Sequence, residues 1–473
     1  MPANALPKVR VRTYRHGLGD CHLVRFRKGD GSAFHLLIDC GVVNRTKNPR
    51  PLMSGVAQNI SDETGKVLDL VVATHAHTDH LSGFTQAEPV FADVTMKRLW
   101  LSWMDQPGNQ AAKRIQNDLV NKLTAVRAAV SLLRTANREA ADRVQGLLDF
   151  FGPGAAGDEM ETIIQSLRDK TQTSPEYQKP GTTFLLPEVP NVRVYVLGPP
   201  TKNKDFTVMN PRKSKHEGYE LALSSAANGF AAALGAAHSE DGPEASQPFE
   251  ARCRLSPARA KRSAFFKKNY FGPDRETRRS QTWRQIDSAW LEAAEQLALY
   301  LDTYTNNTSL ALAFEFLDSK EVLLFPGDAQ IGSWLTWHKF DSFKQLDGSE
   351  HPVSIRDLFS RTVFYKASHH ASHNGTLSGL GENQTGLEQM THRDLVCVVP
   401  VDRDMSKAMR WDRTLPWTPL LNALREKTRG RLVLTDSKET PPQPRSLKNL
   451  SVVERRRFKE QVKATPKWVD YTL

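Results

Sequence analysis

The chain has 473 residues, 39% apolar and 25% charged, with a formal net charge of +11. That length allows a large buried core, roughly two to four domain-sized units. It carries no apolar run near the ~20 residues of a membrane-spanning helix, and Met1–Pro7 offers no apolar stretch for a signal peptide. Four scattered cysteines without a CxxC pair argue against a disulfide framework or zinc knot and for a cytoplasmic location, while the basic balance favours acidic partners such as nucleic acid.

In chain order, Val9–Tyr14, Leu23–Arg27 and Phe34–Ile38 are short β-prone runs separated by Gly17, Gly19, Gly29 and Gly31 and closed by Gly41. Leu68–Thr74 is largely apolar, as in a strand covered on both faces, and runs straight into His75. From about Gln110 to Phe151, Ile115, Leu119, Leu123, Val126, Val130 and Leu133 recur at three- and four-residue steps, which predicts an amphipathic helix or helical hairpin. Val192–Leu197 returns to strand character. Residues 201–282 read as an insertion in which an Ala-rich stretch (Ala222–Ala237) leads into a basic segment, Arg252–Arg279; residues 251–280 hold ten Lys/Arg against two Asp/Glu.

A helical pattern at Trp283–Leu301 then precedes predicted strands at Leu310–Phe316, Val322–Phe325, Val363–Tyr365 and Val396–Val399. Thr418 reads as the N-cap of a helix over Pro419–Thr428, Arg431–Thr435 as the last strand, and 441–473 as a basic tail around Arg455-Arg456-Arg457. This order predicts a layered α/β domain over 1–440, with a helical insertion at about 105–180 and a basic, Ala-rich one at 201–282.

Thr74-His75-Ala76-His77-Thr78-Asp79-His80 puts three imidazoles and a carboxylate within six positions at the end of the apolar strand. Imidazole nitrogen with carboxylate oxygen suits zinc, manganese or iron. Residues two apart on an extended segment point the same way, so His75 and His77 can share one ion, and a turn can present Asp79 and His80 to a second. The alternative is a polar loop of satisfied histidines, and the density of ligands at a strand end argues against it.

The HxHxDH run after an apolar strand resembles the signature of the metallo-β-lactamase superfamily, matching at positions 75, 77, 79 and 80 without substitution. Further blocks are similar to the hydrolase domain of bacterial DNA-uptake channel proteins: Gly17-Leu18-Gly19-Asp20, Leu36-Leu37-Ile38-Asp39-Cys40-Gly41, Asn306-Asn307-Thr308-Ser309-Leu310, Leu323-Leu324-Phe325-Pro326-Gly327-Asp328-Ala329 and Lys366-Ala367-Ser368-His369-His370-Ala371-Ser372. They keep their order over roughly 250 residues.

The resemblance implies a four-layer αβ/βα sandwich holding two divalent ions, Zn²⁺ or Mn²⁺. It implies His75 and His77 on one ion, Asp79 and His80 on the other, Asp328 between them, and His369 completing the second set. Asp79, Asp328 and His370 are then the catalytic candidates, with His370 free to contact substrate. Asp328 can instead belong to a turn-forming Gly-Asp pair. Asp39 and Asp20 read either as carboxylates that orient a ligating histidine or as turn caps, and Lys366 as a supporting or substrate-contacting residue. His373 has no counterpart in the family and is expected on a loop surface. Two departures stand out. The third histidine of the first ion is missing, with Asn306 or Asn307 in its approximate place, and Leu415-Pro416, followed by Trp417, replaces a late His-Pro pair.

The expected chemistry is hydrolysis by metal-activated water; no GxSxG elbow or Gly-rich phosphate loop occurs. The leading expectation is a nuclease or phosphodiesterase on DNA or RNA, with Phe265, Phe266, Tyr270 and Phe271 of the basic insertion available to stack on bases. That insertion reads equally as a solvated loop. The alternatives are a hydrolase of a small ester, thioester, lactone or cyclic nucleotide, and a partner-binding protein with a vestigial metal site. The helical insertion is a candidate docking surface for a protein partner, and no membrane association is expected.

Overall fold

The computed structural model describes residues 7–136, 138–152, 158–207, 255, 257–271, 289–378, 386–437 and 447–473. Short apolar runs become two mixed sheets of eight and seven strands. In chain order these are Val9–Tyr14 (β1), Cys21–Arg27 (β2), Ala33–Cys40 (β3), Leu70–Val72 (β4), Leu99–Ser102 (β5), Glu176–Gln178 (β6), Thr183–Leu186 (β7), Val189–Val196 (β8), Leu312–Phe316 (β9), Val322–Phe325 (β10), Thr362–Lys366 (β11), Val396–Val399 (β12), Leu432–Leu434 (β13), Val462–Ala464 (β14) and Trp468–Thr472 (β15). The first sheet runs β14-β15-β1-β2-β3-β4-β5-β6 and the second β13-β12-β11-β10-β9-β8-β7.

Each sheet is half antiparallel and half parallel. In the first, pairing is antiparallel from β14 to β3 and parallel from β3 to β6. In the second it is antiparallel from β7 to β10 and parallel from β10 to β13. Parallel neighbours require crossovers, and between β3 and β4 the crossover is the helix Pro49–Thr64 (α1). Prolines occupy its first turn, and Gly65 ends it in the left-handed conformation.

One buried cluster joins the inner faces of both sheets, with Val24, Phe26, Leu36 and Ile38 from the first and Val194, Phe314, Leu323 and Phe364 from the second. The Phe26 and Phe314 rings lie 5.6 Å apart. On the other face of the first sheet, Leu23, Leu37, Val71 and Leu101 pack with Met53 and Ile60 of α1, Leu81 and Phe84 of the helix Thr78–Gln86 (α2), and Ile163 and Leu167 of Asp158–Lys170. Outside the second sheet, Trp334 meets Phe359 at 5.4 Å and Tyr365 at 6.3 Å. The result is a mixed α/β sandwich with helices on both outer faces.

Three differences from the sequence reading have local causes. The C-terminal segment, expected as a tail, returns to the first sheet, where β15 pairs along β1 from Arg10 against Thr472 to Tyr14 against Trp468. The helix before it, Val452–Gln461, starts with a capping box between Ser451 and Glu454. Arg431–Thr435 is therefore not the last strand. Thr418 lies inside its helix and Trp417 is the N-cap residue, with Pro419 still in the first turn.

The described residues of Asn117–Leu148 and Lys213–Leu301 form a second compact unit. It takes in most of the helices Gln110–Ala136 and Arg138–Leu148. Of the basic insertion, Pro257–Arg262 is a short helix; the rings of Phe265, Phe266 and Tyr270 pack on one another at 5.2 to 6.1 Å, and Phe265 is 60% exposed. The Ala-rich stretch, residues 251–254 and 272–288, with the start of the Trp283–Leu301 pattern, lie outside the described residues. Among the described residues no helix is long and apolar enough to cross a membrane.

Candidate metal centre

The residues singled out in the sequence meet at the C-terminal ends of the parallel strands, where open α/β sheets bind their ligands. Asp39 is next to last in β3, His75 follows β4, Asp328 follows β10, and Lys366 ends β11 ahead of His369 and His370. A backbone bond from Leu310 N to Thr74 O, 2.9 Å, ties the two sheets together here. His77 is extended (φ −112°, ψ 153°) and is the N-cap residue of α2, so Asp79 and His80 fall in the first helical turn. Two glycines allow that turn to sit so low. A Cβ on Gly41 would lie 2.5 Å from the His80 backbone, and one on Gly19 would lie 2.7 Å from Asp79 O. Asp20 N then donates to Asp79 O at 2.8 Å.

Asp79, His80, Asp328 and His370 place one potential ligand atom each within 4.8 Å of one another, and all four are buried. Asp328 Oδ2 lies 3.1 Å from His80 Nε2 and 3.3 Å from His370 Nε2, and Asp79 Oδ2 is 2.9 Å from His370 Nε2. Of the adjacent pair, His370 and not His369 lies in this cluster. Residues 369–371 are all left-handed, with φ of 46°, 50° and 60°, which separates the two side chains. His370 Nδ1 donates to Pro400 O at 2.9 Å, leaving Nε2 aimed at the carboxylates.

Asp39 also takes a left-handed backbone (φ 55°). Its carboxylate accepts from Thr74 N at 2.8 Å and Thr74 Oγ1 at 2.7 Å, and stands 2.7 Å from His80 Nδ1. A carboxylate on one ring nitrogen sets the tautomer and frees the other as a lone-pair donor. Lys366 Nζ donates to Gly327 O at 2.8 Å, to Asp328 Oδ1 at 2.9 Å and to Asp20 Oδ2. Asp328 Oδ1 is thus held by lysine, with His369 N adding a bond at 3.2 Å, and only Oδ2 faces His80 and His370.

Burial and charge split the titrations. Burial alone would raise the Asp79 and Asp328 carboxyls, but the surrounding cations hold both below their ordinary value, Lys366 most strongly at Asp328 and His80 at Asp79. Burial is likewise outweighed at His370, which neighbouring carboxylates led by Asp328 push up to about 10, and at His80, raised well above its ordinary value. His75, His77 and His369 go the other way. Burial pulls His77 down to about 4 and His369 to about 3, so these imidazoles are neutral and ready to donate a lone pair.

His75 Nε2 and His77 Nδ1 are 3.1 Å apart; His75 Nδ1 lies 3.2 Å from Ser309 Oγ. Asn306 is buried beside His77. Asn307 is not in the site: its Oδ1 accepts from Gln330 N, Ser333 N and Ser333 Oγ, and its Nδ2 donates to Phe206 O at 3.0 Å. His369 Nδ1 lies 2.6 Å from Ser372 Oγ, and its Nε2 3.2 Å from Asn306 Nδ2. His373 is exposed. Leu415 is buried, and the next residue but one, Trp417, donates its backbone N–H to Ala371 O at 2.8 Å.

Several neighbours gave no sequence signal. Thr74 shares Asp39 with His80. Asp302, one turn before Asn306 on the helix Ala289–Asn306, is buried, and desolvation beside Asp79 and Asp328 pushes it up to about 8. The rings of Phe150 and Phe151 lie 5.6 and 4.8 Å from His77, and Phe150 stacks on Trp411 at 4.7 Å. The HxHxDH run and the short blocks around Asp20, Asp39, Asp328 and Lys366 mark this place in the sequence, but these further neighbours come from segments without such a pattern.

The donor set fits a metal ion. Two carboxylates and two imidazoles converge, all of them buried, and Asp79 Oδ1 and His80 Nε2 are buried with no hydrogen-bond partner. Such groups are normally satisfied, and a divalent cation satisfies them. The chain matches no protein-family model and no curated protein sequence. Geometry and chemistry therefore carry the functional reading.

Proposed function

We propose that the chain is a metal-dependent hydrolase of the metallo-β-lactamase type that cleaves phosphodiesters of DNA or RNA, using Zn²⁺ or Mn²⁺. The observation that carries this is the convergence of Asp79, His80, Asp328 and His370 from separate strand ends into one buried cluster. The face-to-face sheets with outer helices support the four-layer αβ/βα sandwich of that superfamily. Divalent ions bound there lower the pKa of water and polarise the scissile group. The chain's own residues prepare this. Asp39 fixes the His80 ring through Nδ1, the Pro400 carbonyl fixes His370, and Lys366 holds one oxygen of Asp328 so that the other faces the imidazoles. Their burial excludes bulk water and strengthens every charge interaction in the site.

The net charge of +11 and the basic segment at 251–280 support a polyanionic substrate. A second reading has one observation in its favour: Phe150 and Phe151 border His77 with apolar rings, with Trp411 stacked on Phe150, which suits a small ester, thioester, lactone or cyclic nucleotide. A vestigial site on a partner-binding protein accords poorly with the close, buried approach of Asp79, His80, Asp328 and His370.

The test is metal content by mass spectrometry, together with cleavage of single- and double-stranded DNA and RNA in Zn²⁺, Mn²⁺ or Mg²⁺, beside a His77→Ala/Asp79→Ala variant. Metal-dependent cleavage that disappears in the variant is expected. Bound metal without cleavage moves the substrate to the small-molecule class. A chain that takes up no metal ends the hydrolase reading.

A further inference from the structure

We infer that Cys21 and Cys40 are a redox pair, joined by a reversible disulfide when a peroxide reaches them as α2 lifts from the first sheet. The assignment goes beyond the hydrolase reading, and only its expected effect on metal binding rests on that reading.

The two cysteines are well separated in the chain, and the pairing of β2 with β3 sets them directly opposite each other. Just outside the pair, Gly41 N donates to Asp20 O at 3.0 Å, so Cys21 and Cys40 form a non-hydrogen-bonded pair. In such a pair the Cα atoms stand ~4.5 Å apart and the side chains are at their closest, and a disulfide bridges Cα atoms roughly 4.4–6.8 Å apart. Both side chains enter the cluster on the outer face of the sheet, with Met53, Leu81 and Phe84, and the Cys21 thiol interacts there with that of Cys40. Cys397, the other free cysteine among the described residues, lies on β12 in the second sheet.

The start of α2 covers the pair. A Cβ on Gly83 would stand 2.8 Å from Cys40 Sγ and 2.7 Å from Cys40 O, and both thiols are fully buried. Burial, and then the neighbouring thiol, push Cys21 well above its ordinary value, so the closed fold keeps the reactive thiolate scarce. Lifting α2 admits water and oxidant. One sulfur then attacks a peroxide oxygen and breaks the O–O bond, leaving a sulfenic acid and a water. The second sulfur attacks the first, the S–O bond breaks, and a second water leaves. The two thiols give up two electrons and two protons, and hydrogen peroxide becomes two waters.

Asp20 and Asp39 immediately precede the two cysteines. Asp39 is the extra residue of a bulge, because Cys40 faces Cys21 while Ile38 faces His22, and its carboxylate stands 2.7 Å from His80 Nδ1. A covalent bond draws Cys40 Sγ towards Cys21 and away from Gly83, and so shifts the backbone that aims Asp39 at His80. Oxidation should therefore weaken metal binding as well.

The test treats metal-free full-length protein with hydrogen peroxide and then alkylates the remaining thiols. Intact mass counts the thiols, peptide mapping locates the bond, and circular dichroism follows the fold. Folded wild type should lose two of its four thiols, give a peptide pair joined through Cys21 and Cys40, and recover both thiols with dithiothreitol. Cys21→Ala and Cys40→Ala should each abolish that bond. Gly83→Ala, which forces α2 off Cys40, should speed its formation at least about tenfold. Zn²⁺ affinity by calorimetry should be at least about tenfold lower in the oxidised than in the reduced protein.

Folded wild type in which Cys21 and Cys40 stay reduced, or reach sulfinic acid without a crosslink, overturns the pair. An unchanged rate in folded Gly83→Ala overturns α2 as its cover. Should that variant not fold, urea below the unfolding transition decides, and an oxidation rate that urea leaves unchanged overturns the cover. Equal Zn²⁺ affinity in the two redox forms overturns the link to the centre. Reduced protein that binds no Zn²⁺ overturns the metal-centre reading instead, and the disulfide assignment stands or falls on the mapped crosslink.

Discussion

At the scale of single residues, the centre depends on which nitrogen of each imidazole is occupied. Asp39 takes His80 Nδ1 and Pro400 takes His370 Nδ1, so both Nε2 atoms face the carboxylates. Asp39→Ala should leave the ligands in place but weaken metal binding by about 10- to 100-fold, measurable by competition with a chromophoric chelator. In the metal-free fold His370 is raised from 6.5 to about 10, because Asp328 and Asp79 outweigh the effect of burial. A raised histidine stabilises the fold most below its unfolded value, and this stability is lost as pH climbs through the folded value. With chelator present, Tm should therefore fall between pH 6.5 and about 10, and His370→Gln should flatten that slope. Ligation needs the neutral ring, so the Tm gained on adding Zn²⁺ should widen with pH over the same range. A metal-free Tm that rises with pH would contradict this charge pattern.

At the scale of elements, the start of α2 is held by backbone contact that only glycine permits. Gly41→Ala would press a methyl group into the His80 backbone and should cost about 3 kcal/mol, read from urea denaturation, with loss of metal binding in step. A cost near zero would mean that α2 has room to move. The C-terminal strands are a second case. β15 covers the whole of β1, so deleting 462–473 would bare a strand edge; the shortened chain should aggregate or elute as an oligomer on size exclusion. The sequence hides this role, because Val452–Gln461 is strongly basic and β14 and β15 are only three and five residues long.

For the whole molecule, charge outside the centre bears on the choice of substrate. If the substrate is nucleic acid, neutralising Lys261, Arg262, Lys267 and Lys268 should lower its affinity and reduce the salt dependence of binding by up to about 3 to 4 units. Turnover of a small chromogenic phosphodiester should stay unchanged. Equal cleavage of long and short substrates by this variant would remove the segment from recognition. Its exposed Phe265 and mutually packed rings are compatible with stacking on bases, and they equally cap a short helical turn, so the salt slope is the deciding measurement.

The sequence by itself determined the strands around the centre and the concentration of imidazole and carboxylate groups at residues 75–80. Apolar runs ending in glycine or histidine leave little conformational choice, and His75, His77, Asp79 and His80 are close in space because they are close in the chain. Asp39, Asp328 and Lys366 were legible as members of short blocks, but their partners were not. Only the tertiary structure decided that His370 and not His369 enters the cluster, that Asn306 and not Asn307 faces His77, and that Asp302 joins them. Each of those choices depends on a backbone torsion or a hydrogen bond between segments far apart in the chain, and no local pattern encodes either. The same reason explains the C-terminal strands, whose place is set by the exposed edge of β1 and not by their own composition.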